Sequence, residues 1–194
     1  MQADIGLGFL IAILTSAVFH FEPTLWFIVF CVLAALLPDI DFTVEFLKHG
    51  SVGGKVIREH RELLHFPVTY IPIIFLVFLA AGPVWASALA LGVVSHFIHD
   101  SIGVGWGIKW FWPVHKHHYK FFAKNDGSMA WRWLQKWKVE DMPAIAAMYG
   151  LEHWIRDIYL KPFPIRVPMW LFWVNISEWA VFIIGAVGLW VYLT

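Results

Sequence analysis

Apolar residues along this chain gather into five blocks, at about residues 5–20, 24–38, 66–82, 84–99 and 168–193, separated by polar stretches. Each block predicts a membrane-spanning helix. Crossing about 30 Å of hydrocarbon takes about 20 apolar residues, and several blocks are shorter than that. From Pro23 to Asp39 is 16 residues, about 24 Å of helix, and from Pro83 to His96 is 13 residues, about 20 Å. Asp39 and His96 are therefore expected several ångström below the membrane surface. Ala86, Ala88, Ala90 and Gly92 are small enough to let a neighbouring helix approach closely.

Threading the five blocks through a bilayer puts residues 39–65 and 99–167 on the side of the N-terminus. Residues 20–23, 81–84 and the C-terminus then fall on the other. All 14 Lys and Arg residues lie on the first side, which the positive-inside rule makes cytoplasmic. Composition agrees with a membrane protein: 60% of residues are hydrophobic and 14% charged, where a soluble domain carries about a quarter charged. The expected fold is all-α, a single polytopic membrane domain of about five transmembrane helices, integral to a bacterial or archaeal cell membrane. The formal net charge of zero gives no footprint for nucleic acid. Cys31 is the one cysteine and excludes an internal disulfide. The N-terminal MQAD lacks a basic region, so the first block is expected to be a retained span rather than a signal peptide.

Between the fourth and fifth blocks, Trp106, Trp110, Trp112, Trp131, Trp133 and Trp137 interleave with lysines and arginines, as at a headgroup boundary. Residues 141–160 predict an amphipathic helix, with Pro143 in its first turn and Ile145, Met148, Leu151, Ile155 and Ile158 at helical spacing. Residues 114–167 therefore read as an interfacial cytoplasmic segment lying on the membrane. It divides helices 1–113 from the last span, 168–194.

Four polar groups fall on the cytoplasmic face: Asp39 and Asp41 after the second block, His60, Arg61 and His65 before the third, His96 and Asp100 ending the fourth, and Asp4 before the first. His96 and Asp100 are four apart and project from one helical face, with His99 in reach of it. His60 and His65 are five apart, about 140° around a helix, and form a ligand pair only if one precedes the helix. In Asp-x-Asp, a helix end followed by extended chain lets both carboxylates approach one centre, or lets one bind and one orient. Taken alone, Asp39 and Asp41 read equally well as a helix end meeting water, and a lone His65 or His96 as a hydrogen-bonded core histidine. Their convergence on one face favours a shared metal site. Imidazole and carboxylate suit zinc, manganese or iron, and two or more divalent ions would offset carboxylates sunk in a membrane. The other histidines read differently. His20 lies on the opposite side, His115, His117 and His118 sit in a basic membrane-facing run, and His49 and His153 have no evident partner. Glu178, near the middle of the last block beside Asn175 and Ser177, reads as a protonated carboxyl hydrogen-bonded to a neighbouring helix in preference to a functional group.

The motifs LPDIDF, HRELLH, HFIHD and Trp112-Pro113 together resemble the YdjM-like family of membrane-bound, metal-dependent hydrolases, over about residues 4–115. The resemblance implies metal-site roles for Asp39, Asp41, His60, His65, His96 and Asp100, with Arg61 nearby. The family carries a histidine before its first span, where this chain has Asp4, a carboxylate able to replace it as ligand. The implied activity is metal-dependent hydrolysis, in which a metal-activated water would attack an ester or phosphoester, and a site recessed at the cytoplasmic interface favours a lipid or lipid-linked substrate. Asp41, Arg61 and His99 are the candidate catalytic groups. Zinc is the expected metal and membrane lipids are the expected partners. Two other readings compete. HRELLH and HKHH suggest a di-iron desaturase or hydroxylase, although the histidine spacing fits poorly. A divalent-cation carrier or metal-stabilised scaffold would need polar residues continuing to the far side, where only His20 and Glu22 are found.

Overall fold

The structure is a computed structural model that describes residues 1–49, 63–102, 107–123, 132–137 and 169–194. Helices dominate these residues: α1 (Gln2–Phe19), α2 (Leu25–Leu36), α3 (Ile40–His49), α4 (Pro67–Ala81), α5 (Pro83–Ile102) and α6 (Met169–Leu193). Two strands, β1 (His118–Ala123) and β2 (Arg132–Trp137), interrupt the series. Five helices coincide with the five apolar blocks, and local chemistry sets their ends. Thr24 caps α2, its hydroxyl accepting from the Phe27 amide at 3.2 Å. Gly82 closes α4 in the left-handed region (φ 86°) and Pro83 opens α5. The α1 helix and the Ile176–Leu193 stretch of α6 are long and apolar enough to cross a membrane, while the apolar α2 and α4 are shorter. The predicted amphipathic helix at 141–160 lies outside the described residues.

The chain forms two compact units. One comprises Met1–Pro38, Thr69–His96 and Trp173–Thr194, and backbone proximity organises it. Gly8 of α1 lies against the Val32 backbone of α2, where a Cβ would come within 2.5 Å, and Gly92 of α5 lies against Ala34 of α2. Gly6 of α1 meets Val181 and Gly185 of α6, backbone on backbone. Each contact needs residues without bulk, as in membrane helix pairs. Met1 meets Glu178, Gly6 meets Gly185, and Leu10 and Ile13 approach Gly188, so α1 and α6 run parallel. The expected small-residue face of α5 is present, with Ala86 and Ala88 buried beside Gly92. Ile11, Ala12, Phe27, Ile28, Cys31 and Ala88 form the core, and Trp85 packs edge-on against Phe27 and Phe30. The outer faces are greasy: Ile71, Phe75, Leu76 and Leu79 of α4 are between 59% and 65% exposed. A surface this apolar is stable against lipid and unstable against water.

The second unit comprises Asp39–Val68 and Phe97–Phe172. Trp110 ties its loop to α5. The indole donates to Ser101 Oγ at 2.8 Å, and that hydroxyl donates to the Phe97 carbonyl at 2.7 Å. Phe66 stacks on Trp112 at 4.6 Å, with the Lys109 ammonium 5.2 Å from the Phe66 ring. Strands β1 and β2 pair antiparallel, His118 opposite Trp137 and Ala123 opposite Arg132. Ile108 bridges to Tyr119. These two strands, which fall within the 114–167 stretch read from sequence as interfacial, form a small β-ladder.

Candidate metal centre

Leu37–Asp39 forms a 3-10 turn that passes directly into α3 at Ile40. The chain after Asp39 is therefore helical, not extended as the Asp-x-Asp spacing suggested. Both carboxylates nevertheless reach one group, His65, which ends a second 3-10 turn (Leu63–His65) before α4. His65 is 1% exposed. Its Nδ1 donates to Asp41 Oδ2 at 2.9 Å, while Nε2 faces Asp100 Oδ2 at 3.5 Å and Asp39 Oδ1 at 3.8 Å. The two ring nitrogens thus have different company. Asp41 holds the ring from behind, and Asp39 and Asp100 share the Nε2 side. Of the two options open to Asp-x-Asp, this matches one carboxylate orienting and one facing the centre.

Burial by itself would push the His65 imidazole below its ordinary value. The carboxylates of Asp100, Asp39 and Asp41 outweigh burial and hold it up at about 10. Without metal, His65 is a cation at neutral pH surrounded by three carboxylates. Even then the group carries an excess of negative charge, and a hard or borderline divalent ion suits such a donor set of carboxylate oxygens and imidazole. Among the described residues, His65, Asp39 and Asp100 could together hold one.

The first unit contains a second histidine–carboxylate pair. His96 Nδ1 lies 3.1 Å from Asp4 Oδ1, and both side chains are 1% exposed. Asp4 Oδ2 accepts from the Met1 ammonium at 2.8 Å. Glu178 Oε2 approaches the same ammonium at 3.4 Å and accepts from the Ala3 amide at 3.0 Å. Glu178 is therefore bonded to a neighbouring helix, as expected, but as an acceptor paired with an ammonium rather than as a protonated carboxyl, and it satisfies a backbone donor at the start of α1. His96 and Asp100 lie one turn apart on the unbroken α5.

The remaining expectations divide. His60 and Arg61 lie outside the described residues, as do His153 and Trp106. His99 is half-buried on α5. His20 is exposed and closes α1 in the left-handed conformation (φ 55°), which gives it a structural task as a helix stop. His118 is buried with Nδ1 toward the Gly107 carbonyl at 3.3 Å, and His115 is exposed with its ring 6.4 Å from that of His117. Sequence reasoning missed the bracing residues. Phe66 follows His65 directly and is clamped by Trp112, and Ser101 follows Asp100 directly and is tied to Trp110. The Trp-Pro motif hinted at the first of these, and no sequence pattern pointed to the second.

Apolar-faced helices carrying buried histidine–aspartate groups define a membrane protein with a possible metal-binding cluster set among its helices. More narrowly, the chain belongs to the YdjM inner membrane protein family, whose model matches residues 3–193. The match extends well beyond the 4–115 region that the motifs covered and takes in α6 with Glu178. No curated protein and no solved structure matches the chain.

Proposed function

We propose that this protein is an integral-membrane, metal-dependent hydrolase acting on an ester or phosphoester of a lipid or lipid-linked substrate at the cytoplasmic face. The observation that carries the proposal is the convergence of Asp39, Asp41 and Asp100 on the buried His65. A purely structural histidine needs one such partner. Three carboxylates around one imidazole are a costly arrangement that a divalent cation relieves.

In this reading Asp39, His65 and Asp100 are the ligands. His96, which α5 carries one turn from Asp100 on the same helical face, is read as a ligand in its own right. A bound zinc or manganese ion would supply Lewis-acid polarisation and a water acidic enough to ionise near neutral pH. Asp41 holds the His65 ring through Nδ1 and fixes which nitrogen faces the centre. Asp39 is the more exposed carboxylate, at 23% against 11% for Asp100, and is better placed to take a proton from a reacting water. Arg61, one of the site residues the resemblance implies, would bind the phosphate. A site at the headgroup boundary favours substrates that reside there.

The orientation we propose follows the one-sided distribution of Lys and Arg, with the ligands on the cytoplasmic side. The test is metal content and phosphate release measured on detergent-purified protein. Wild type should carry close to stoichiometric zinc or manganese and release phosphate from a lipid phosphomonoester. Asp100→Ala and His65→Ala should lose both. Unchanged metal content in those variants would sink the shared site, and metal without hydrolysis across a panel of lipid esters and phosphoesters would sink the enzyme.

A further inference from the structure

Asp4 and His96 are 92 residues apart in sequence and in contact at 3.1 Å, both shielded from solvent. From sequence Asp4 is a candidate ligand. We infer instead that Asp4 is a positioning residue, which fixes the ring of His96 and keeps a hydrogen on Nδ1 so that Nε2 is the nitrogen offered to a metal ion. The inference rests on the reading of His96 as a ligand.

The argument is one of donors and acceptors. An ionised carboxylate only accepts, so the His96 nitrogen facing Asp4 must be the donor. In a neutral imidazole a hydrogen on Nδ1 leaves the lone pair on Nε2. Both oxygens of Asp4 are engaged, Oδ1 with His96 and Oδ2 with the Met1 ammonium. A carboxylate committed on both oxygens orients its neighbour better than it binds an ion. The same device recurs at His65, whose Nδ1 is held by Asp41 at 2.9 Å. Each of the two histidines is thus gripped at Nδ1 by an aspartate from another element. Carboxylates bonded to the outer nitrogen of a ligating histidine set its tautomer and raise its basicity.

The experiment is nitrogen NMR of histidine-labelled, metal-free protein in detergent, with the His96 signals assigned by difference against His96→Gln. The pH is set where the imidazole is neutral. Wild type should show His96 with the hydrogen on Nδ1. Asp4→Asn keeps an acceptor oxygen and should preserve that state, whereas Asp4→Ala should give a mixture of tautomers. Zinc titration of the same samples should show binding weakened about 10–100-fold in Asp4→Ala and little changed in Asp4→Asn. Hydrogen on Nε2 in wild type, or no change of tautomer in Asp4→Ala, overturns the inference. So does a loss of zinc affinity in Asp4→Asn as large as in Asp4→Ala with the tautomer intact, which would make Asp4 a direct ligand. If wild type binds no zinc, the metal reading of His96 fails, and the tautomer comparison still decides whether Asp4 governs the ring.

Discussion

At the scale of single residues, His65 has two states with different consequences. Without metal it is an imidazolium whose protonation is favoured by folding, because its value of about 10 in the folded protein lies above the ordinary 6.5. The sign follows. This contribution to stability is fully present below about pH 6.5 and is lost as pH rises toward 10. Thermal unfolding of metal-free protein should therefore occur at lower temperature at pH 10 than at pH 6.5, and the difference should shrink in His65→Ala. A metal ion competes with the same proton, so metal affinity should rise with pH across that window. Deleting the imidazole leaves three carboxylates facing one another. His65→Ala should destabilise the metal-free protein by about 3 kcal/mol, read as a lowered Tm in detergent. The gathering of Asp39, Asp41 and Asp100 with His65 was legible in the sequence, because each of them abuts an apolar block. The division of labour was not. Whether Asp39 or Asp41 takes Nδ1 depends on the 3-10 turn at Leu37–Asp39, a backbone detail that Asp-x-Asp spacing does not encode.

At the scale of elements, helix contacts depend on residues with nothing to offer but the lack of a side chain. Gly6 meets the backbone of α6, and a Cβ there would collide with Val181 and Phe182. Gly6→Val should cost about 1–3 kcal/mol through overpacking, and disulfide trapping between cysteines placed on α1 and α6 should fall with it. Gly107 has φ 77° and its missing Cβ would strike the Tyr119 carbonyl. Gly107→Ala should thus destabilise by about 1–2 kcal/mol, again measured as Tm. Helix positions were readable because the apolar blocks are long and Pro23 and Pro83 punctuate them. The β1–β2 ladder was hidden. Its strands HYKFFA and RWLQKW mix aromatic, basic and apolar residues, and mere composition cannot separate a membrane-facing segment from a strand. Only the pairing of Tyr119 with Lys136 and of Phe121 with Leu134 does so.

At the scale of the whole molecule, the distribution of charge makes a topological prediction. With Cys31 replaced, a cysteine at Ala81 should react with an impermeant thiol reagent added outside the cell. One at the exposed Lys116 should react only after the membrane is opened. The reverse pattern would turn the site outward and change the substrates within its reach. The parallel course of α1 and α6 agrees with this threading, since both should run from the cytoplasmic side. Their pairing also imposes an order in time. The Ala3 amide is satisfied by Glu178, 175 residues later. At synthesis rates of about 5–20 residues per second that carboxylate is made about 10–35 s after its partner. Throughout that interval the glycine face of α1 has no α6 to meet, so the newborn helix must wait in the company of lipid, the insertion machinery or α2. The pairing of α1 with α6 is therefore among the last events of biogenesis, and a nascent chain arrested before Glu178 should yield no crosslink between these two helices.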